Sequence, residues 1–362
     1  MKKPTNDEPA QAGLVISDIT GEACSSQDIF EGQFVSHEAL VQAIEGFTAM
    51  PGRATGDKFP RFAVELSPGS VRLTKKAPPR GERREGYKPK TNITEWSKKS
   101  RASMTSRLCS LDYRPLFIGT GRVPALITLT YPGDWMVVAP NGQAVKQHLA
   151  RLRKRYEYDF GEPWYAVWKM EFQSRGAPHF HIFSAPPPGA DFACWLSEAW
   201  ADIVAHPDLD ERAKHVRAGT GIDYSQGLRG TDPKRIAVYF SKHNSAGFGA
   251  KEYQNKPPHE WKDSGSVGRF WGYWGLQPLV VGVEVEDHDA VFIARILRRW
   301  SQANNPARTV LTPRGVRKTG EMKFRRVRRR VRRFQNGLGF ASVNDGSAMG
   351  EALSRAIQTC RR

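Results

Sequence analysis

Hydrophobic and polar residues follow two different periods along this chain of 362 residues, and each period predicts a different kind of element. Alternation with a period of two in 62–66 and again in 71–73 predicts a β-hairpin. Apolar runs in 123–131 and 164–173 predict buried strands, and 179–183 predicts another strand after a short turn. Two successive strands joined by a tight turn favour antiparallel pairing in this part of the chain.

Apolar residues at helical spacing predict five helices, within 37–44, 93–111, 141–156, 192–203 and 291–300. Asp232 as N-cap and Pro233 as first helical residue predict another helix that ends at Ser241 or Lys242. Further strands are predicted at 221–227, 268–274 and 279–285. This mixture of elements favours an α+β fold, with a central antiparallel sheet flanked by helices, over a doubly wound parallel sheet.

Positive charge divides the chain into three parts. Residues 72–107 contain 12 Lys+Arg and 3 Glu (+9), and residues 308–333 contain 12 Lys+Arg and 1 Glu (+11). Since the whole chain carries +18, the remainder carries 18 − 20 = −2. We expect a partly disordered N-terminal region with the hairpin (1–92), a middle domain in which any chemistry should be sought (93–300) and a basic C-terminal extension (301–362). The strong positive balance predicts a polyanionic partner, most simply a nucleic acid.

Other features of the sequence exclude several classes of protein. No apolar stretch approaches the roughly 18 residues that a membrane span requires. The N-terminus lacks the apolar segment of a secretory signal, and the four cysteines are too far apart for a Cys-x-x-Cys metal or redox motif. A soluble, reduced protein of the cytoplasm, without a membrane partner, is therefore expected.

Two histidines and a glutamate form the first candidate for chemistry. His179 and His181 project from the same face of a predicted strand. If the preceding turn is centred on Arg175, Glu171 lies directly across from His179, where cross-strand neighbours are close enough to share a cation. Two imidazoles and a carboxylate leave coordination positions open for water or substrate. At this stage a hydrolytic zinc site remains an alternative, as does a strand that merely carries these side chains.

A second candidate lies on the helix that begins at Pro233. Arg235, Tyr239 and Lys242 share one helical face because they occupy positions i, i+4 and i+7. A tyrosine hydroxyl, with a reference pKa near 10, needs a cation or a base to act as a nucleophile. Lys242 is placed to bind a phosphate or to assist loss of the phenolic proton. The structural alternative is a core tyrosine beside a solvated lysine.

The motifs of this chain, and their order along it, resemble those of the HUH endonuclease superfamily, in particular rolling-circle replication initiation (Rep) proteins of plasmids and phages. Three segments of roughly 93–275 carry the resemblance: the hydroxyl-rich strand Leu126–Tyr131, the His-Phe-His of His179–His181, and the Tyr-x-x-Lys of Tyr239–Lys242. The basic stretch Trp96–Arg101 resembles a segment that precedes the first motif in bacterial Rep proteins.

The resemblance implies a nickase that cuts single-stranded origin DNA. Glu171, His179 and His181 would bind Mg²⁺ or Mn²⁺, and Tyr239, assisted by Lys242, would form a 5′-phosphotyrosine and release a 3′-OH. Rejoining of strands would follow at termination. One tyrosine is the simpler interpretation, because His243 stands where a second one often lies in phage initiators. A host helicase would supply unwinding, since the chain has no phosphate-binding G-x-x-x-x-G-K-[ST] motif.

The basic C-terminal segment is the expected DNA contact outside this site. If 323–334 is helical, its apolar residues form a stripe opposite a cationic surface. The predicted phosphate contacts, together with Arg235, are Arg325, Arg326, Arg328, Arg329, Arg330, Arg332 and Arg333. A solvated tail and a membrane-surface helix are the alternatives for this segment. For the whole protein, the alternatives are a relaxase or transposase with the same chemistry, a non-enzymatic DNA-binding regulator, and a zinc hydrolase.

Overall fold

The computed structural model describes residues 34–48, 62–75, 93, 95–118, 121–187, 190–228, 233–241, 256–263, 267–304, 307–330 and 338–361. Its strands are β1 (Phe62–Ser67), β2 (Ser70–Lys75), β3 (Ala125–Leu129), β4 (Ala166–Phe172), β5 (Pro178–Ser184), β6 (Thr220–Asp223), β7 (Trp271–Trp274), β8 (Val281–Val285), β9 (Ala307–Val316), β10 (Met322–Arg330) and β11 (Gly339–Ser342).

The helices alternate with these strands along the chain. They are α1 (His37–Thr48), α2 (Lys98–Cys109), α3 (Arg114–Phe117), α4 (Gly142–Asp159), α5 (Ala190–Val204), α6 (Leu209–Ala218), α7 (Tyr224–Leu228), α8 (Pro233–Ser241), α9 (His259–Asp263), α10 (Asp287–Asn304) and α11 (Gly346–Arg361), with a 3₁₀ turn at Trp135–Val137. The α+β prediction is confirmed.

The central sheet has the strand order β6-β3-β5-β4-β7, and every neighbouring pair is antiparallel. One face is apolar because alternate side chains of β5, including Phe180 and Ile182, point into the main hydrophobic core. Helix α4 covers this face, and the ammonium of its Lys146 lies 5.2 Å from the ring centroid of Phe180. Asn141 caps α4, since its Oδ1 accepts a hydrogen bond from the amide of Ala144 at 2.9 Å. The polar side chains of the sheet therefore face away from α4.

A second sheet, with the order β11-β2-β1-β8, has its own core against α1, α10 and α11. The predicted hairpin is confirmed as β1 and β2. This sheet draws on all three of the segments expected from the charge distribution, because β8 lies before residue 300 and β11 lies in the C-terminal segment. Burial of Val64, Val71 and Ala341 in one cluster explains why strands so distant in sequence come together.

The basic C-terminal segment forms a strand where an apolar helical stripe was expected. Strand β10 pairs only with β9 among the described residues, and the two form an antiparallel ribbon. The helical interpretation of 323–330 is therefore wrong. The spacing of Phe324 and Val327 fits a helix better than a strand, but backbone pairing with β9 determines the conformation of this segment. Residues 331–334 lie outside the described residues.

Other differences from prediction concern short elements. The strand expected at 221–227 ends at Asp223 and continues as α7. Helices α6 and α9 were not predicted. Asp232, the predicted N-cap of α8, lies outside the described residues, although Pro233 does begin that helix. No helix in the described part of the chain is both long and apolar enough to cross a lipid bilayer.

Candidate active site

A tight turn places Glu171 opposite His179. Gly176, with a φ of +81°, allows its amide to donate to the carbonyl of Gln173 at 2.9 Å, which closes the turn between β4 and β5. In the resulting register Glu171 pairs with His179. The cross-strand pairing predicted from the sequence is therefore confirmed.

The guanidinium of Arg175 anchors this turn to the end of β3. It donates to the carbonyl oxygens of Tyr131, Pro132 and Gly133 at 2.6, 2.6 and 2.7 Å, respectively. A single side chain thus binds three successive carbonyl groups that follow β3. This contact holds the β4–β5 hairpin in a defined position relative to the strand that carries the first motif.

The two histidines and the glutamate are close together on the polar face of the sheet. The ring centroids of His179 and His181 are 4.5 Å apart. Nε2 of His181 lies 3.6 Å from Oε2 of Glu171, and Nδ1 of His181 lies 3.5 Å from the hydroxyl of Thr128 on β3. The structure therefore brings together the three predicted cation ligands and adds a hydroxyl from the neighbouring strand.

The protonation of these groups follows from their burial and neighbours. Burial alone would raise the pKa of Glu171, but the hydrogen bond with His181 and the charge of Lys169 hold that pKa well below its usual range. Burial, together with the nearby His181, lowers the pKa of His179 to about 4. At neutral pH, then, Glu171 is ionised and His179 is neutral, which are the forms that bind metal ions.

Lys169 is a residue of this site that the sequence interpretation missed. It lies two residues before Glu171 on β4, so both side chains share one face of the sheet. Its buried ammonium forms an ion pair with Glu171, donates to the carbonyl of Phe240 at 2.8 Å, and lies 4.3 Å from the ring centroid of Trp96. The available signal in the sequence was a charged residue two positions before Glu171 in the same strand. The period of two predicts that Lys169 and Glu171 share a face, but it does not predict what Lys169 contacts.

The ion pair between Lys169 and Glu171 bears on whether the site can bind a metal ion. Within the described residues, no group of three or more His, Cys, Asp or Glu side chains is already arranged to hold a metal ion. The Glu171 carboxylate instead contacts Lys169. However, Nδ1 of His179 is buried without a hydrogen bond in the described part of the chain, and the contacts given for the Glu171 carboxylate are with the cationic or imidazole groups of Lys169 and His181. Buried ligand atoms of this kind fit a cation chemically, and a shift of the carboxylate away from Lys169 would make them available.

Tyr239 lies on α8, whose residues Ile236, Ala237 and Phe240 are buried in the main core. The phenol of Tyr239 is half-buried, and burial raises its pKa to about 12, with further contributions from the negative charges of Glu171 and Asp223. The hydrogen bond from Lys169 to the carbonyl of Phe240 links Glu171 to this helix. The structure thus brings Tyr239 within electrostatic reach of Glu171.

The remaining predicted residues are distributed as follows. Arg235 is exposed on α8, one turn before Tyr239. Arg325 and Arg326 are exposed on β10, well separated in sequence and in sheet from the candidate active site. The backbones of Arg328, Arg329 and Arg330 belong to the same strand. Lys242, Arg332 and Arg333 lie outside the described residues. Asp223, which acts on Tyr239, was not predicted.

Comparison with known proteins places the hairpin in a replication context. Residues 124–221, from β3 into β6, match the model of the ORF2 family of replication-associated proteins. Over 240 residues the chain is 28% identical to the replication-associated protein of Pseudomonas phage Pf3, an alignment that covers 62% of this chain and 72% of that protein. The resemblance to replication initiators of phages and plasmids is thereby confirmed.

Two proteins of Xylella fastidiosa, each described as a putative replication protein, match a shorter part of the chain. The relative from strain 9a5c is 28% identical over 155 residues, and that from strain Temecula1 is 30% identical over 148 residues. Each alignment covers 37% of this chain, and 46% and 49% of the relatives, respectively, so the matched region spans about half of their length. No solved structure matches this one significantly.

Proposed function

We propose that this protein initiates replication by nicking single-stranded DNA at an origin, with Tyr239 as the nucleophile. The observation that carries the proposal is that Lys169 contacts both Glu171 and the carbonyl of Phe240, which holds the helix of Tyr239 against the sheet face with His179 and His181. The family match covers β3, β4 and β5, which position this face. A tyrosine beside a carboxylate and two imidazoles is suited to attack on a phosphodiester.

Glu171, His179 and His181 would hold Mg²⁺ or Mn²⁺. When bound, such a cation polarises the scissile phosphate and offsets the carboxylate charge that raises the pKa of Tyr239. Because that pKa is about 12, Tyr239 is protonated at neutral pH and must lose its proton as the new bond forms. Lys242, three residues further along the sequence, is the predicted assistant for this step.

The proposed step conserves atoms and charge. The phenolic oxygen of Tyr239 releases its proton and forms a bond to phosphorus while the bond from phosphorus to the 3′-oxygen breaks. The departing oxygen keeps the electron pair and takes up a proton, which leaves a free 3′-OH and a 5′-phosphotyrosine. Attack of a 3′-OH on that phosphotyrosine reverses the step and rejoins DNA.

The ribbon of β9 and β10 is proposed to contact DNA away from the cleavage site. Residues 307–330 contain ten Lys+Arg and one Glu, and Arg325 and Arg326 are exposed. Phe324 and Met322 are also exposed, so both apolar and cationic side chains face solvent on β10. Guanidinium groups on such a strand would bind phosphates without reading sequence.

A cleavage assay tests the proposal. Labelled single-stranded oligonucleotides that tile the DNA around the gene are incubated with Mg²⁺ or Mn²⁺, and protein–DNA adducts are separated under denaturing conditions. The wild-type protein should form an adduct that Tyr239→Phe loses while it still binds DNA. The matched control is Tyr158→Phe, because Tyr158 is 87% exposed on α4, on the other side of the sheet. An adduct of undiminished yield in Tyr239→Phe would refute the assignment.

A non-enzymatic DNA-binding regulator is the second candidate function. The observation that favours it is the ion pair of Glu171 with Lys169, together with the lack of a ready-made metal cluster among the described residues. This function predicts DNA binding without any adduct, at every oligonucleotide and with either cation. Loss of cleavage, but not of binding, in His179→Ala/His181→Ala would instead support the nickase.

A further inference from the structure

A polar cleft of about 420 Å³ lies between helix α2 and the hairpin of β1 and β2. None of the described residues assigned to cleavage lines it. Its charged and hydroxyl side chains come from both walls: Arg72 from β2, and Lys99, Ser103, Ser106, Arg107 and Ser110 from α2 and its C-cap. The cleft is therefore a second polar site on the surface of the protein, separate from the candidate active site.

The cleft results from the two faces of α2. Lys99, Ser103 and Ser106 follow one another at spacings of four and three residues and share one face of the helix. Met104 and Leu108 lie on the other face and are fully buried in the main core. The burial of the apolar face thus leaves the cationic, hydroxyl-bearing face of α2 directed into the cleft.

The charge of the cleft is positive. Glu65 is the acidic residue of its lining, and Nε of Arg72 donates to this carboxylate at 3.0 Å, so these two charges offset each other. Lys99 and Arg107 are exposed, and neither is paired with an acidic side chain in the described part of the chain. Two cations therefore remain for an anionic ligand.

The walls of the cleft are held together by backbone hydrogen bonds. The amide of Gly69, in the β1–β2 turn, donates to the carbonyl of Cys109 at 2.8 Å. The amide of Leu279 donates to the carbonyl of Ser110 at 2.7 Å. The C-terminal end of α2 is thus fixed beside the second sheet, so the backbone that carries the cationic side chains is in place before any ligand binds.

The composition of the lining indicates the chemistry of the ligand. Cations and hydroxyls are the groups that contact phosphate oxygens in protein–DNA interfaces. The described residues of the lining include no aromatic side chain on which a base could stack. Helix α2 also packs against α8, the helix that carries Tyr239.

We propose that this cleft binds the phosphodiester backbone of DNA, with Lys99 and Arg107 each contacting a phosphate. Binding there does not read sequence and holds DNA against α2, which in turn packs against the helix that carries Tyr239. The identification of the polyanion as DNA rests on the proposed function, whereas the anion site rests on the lining itself.

Fluorescence anisotropy with Lys99→Ala/Arg107→Ala tests the proposal. The probes are a labelled 20-nucleotide single strand of mixed sequence and its 20-base-pair duplex, each titrated between 0.1 M and 1 M salt. Loss of two phosphate contacts should reduce the slope of log K against log salt by about 1.4 on the single strand, which corresponds to about 25-fold weaker binding at 0.1 M salt. The probe with the larger change identifies the form of DNA that occupies the cleft.

The matched control is Arg151→Ala/Lys154→Ala, which removes two exposed cations from α4, on the opposite side of the central sheet. Binding of the cleft variant that equals binding of this control, on both probes, would overturn the proposal. The outcome is independent of cleavage: a wild-type protein that forms no adduct would refute the nickase but leave a cleft-dependent salt slope intact.

A second pair of variants tests the cleft without removing any cation. Ser103→Glu introduces a negative charge into the cleft, whereas Ser103→Gln introduces a side chain of similar size without charge. We expect Ser103→Glu to weaken binding about tenfold and Ser103→Gln to bind like the wild type within about twofold, because only the first repels phosphates. Equal affinities of the two variants would contradict the proposal even if either one altered the fold locally.

Discussion

The buried ion pair between Lys169 and Glu171 predicts an unusual order of stabilities. Lys169→Met leaves the Glu171 carboxylate buried without its cation, because both side chains are almost inaccessible to solvent. Glu171→Gln leaves the Lys169 ammonium buried without its anion. When both substitutions are combined, neither charge remains, and the double variant should be more stable than Lys169→Met alone.

The magnitudes follow from the contacts of each group. Removing one partner of a buried pair costs about 3–5 kcal/mol, because the other charge is left uncompensated. Lys169→Met also removes the donor to the carbonyl of Phe240, which adds roughly 1 kcal/mol. In the double variant the Phe240 carbonyl still lacks its donor, but no charge is stranded. We therefore expect losses of about 5 kcal/mol for Lys169→Met, about 3 for Glu171→Gln and about 2 for the double variant.

Urea denaturation at neutral pH, without added metal, measures the free energies of unfolding and yields the coupling energy of the cycle. The matched control is Lys146→Met, because Lys146 also lies against the sheet but contacts the sulfur of Met170 at 3.3 Å and no carboxylate among the described residues. Burial lowers its pKa to about 7, well below that of a lysine in the unfolded chain, so Lys146 destabilises the fold at neutral pH. Lys146→Met should therefore raise the free energy of unfolding, whereas Lys169→Met should lower it. A double variant whose loss equals the sum of the two single losses, about 8 kcal/mol, would refute the reasoning.

Three further predictions concern groups that support the fold around the site. Burial lowers the pKa of His148 to about 4. Since the unfolded state takes up this proton near pH 6.5, stability should fall by up to about 3 kcal/mol between pH 6.5 and pH 4, and urea titrations should show a smaller fall in His148→Gln. Asn141→Ala should lose about 1 kcal/mol in urea unfolding through loss of the α4 cap, and Asn141→Ser should recover most of it. Arg175→Lys keeps the charge but cannot bind three carbonyls at once, so amide hydrogen exchange after β3 should accelerate while exchange in α4 stays unchanged. If Arg175→Lys changed the exchange rate after β3 no more than it changed the rate in α4, the last prediction would be contradicted.

Local patterns were sufficient for the elements that build the polar face of the sheet. The Ser174–Pro178 turn sets the register of β4 and β5, and register alone places Glu171 opposite His179. The start of α8 could also be predicted from local sequence, because Pro233 has no amide hydrogen and is suited to the first turn of a helix. In both cases the determining interactions lie within about ten residues of one another.

Other features depended on contacts between distant segments. The spacing of Phe324 and Val327 was compatible with a helix, and only pairing with β9 made that segment a strand. Nothing near Lys169 in sequence indicates that it contacts Phe240, which lies on α8 more than 70 residues later. The second sheet likewise combines β1 and β2 with β8 and β11, because each strand alone has too little apolar surface to remain folded.

By itself, the sequence therefore determined the fold class, the histidine–glutamate register and the placement of Tyr239 on a helix, since each depends on local periodicity or on one short turn. The tertiary structure decided which groups surround these residues: the ion pair of Lys169 with Glu171, the negative charge of Asp223 near Tyr239, and the cleft beside α2. The physical reason is that burial and charge at a site depend on every segment packed around it, and those segments are far apart along the chain.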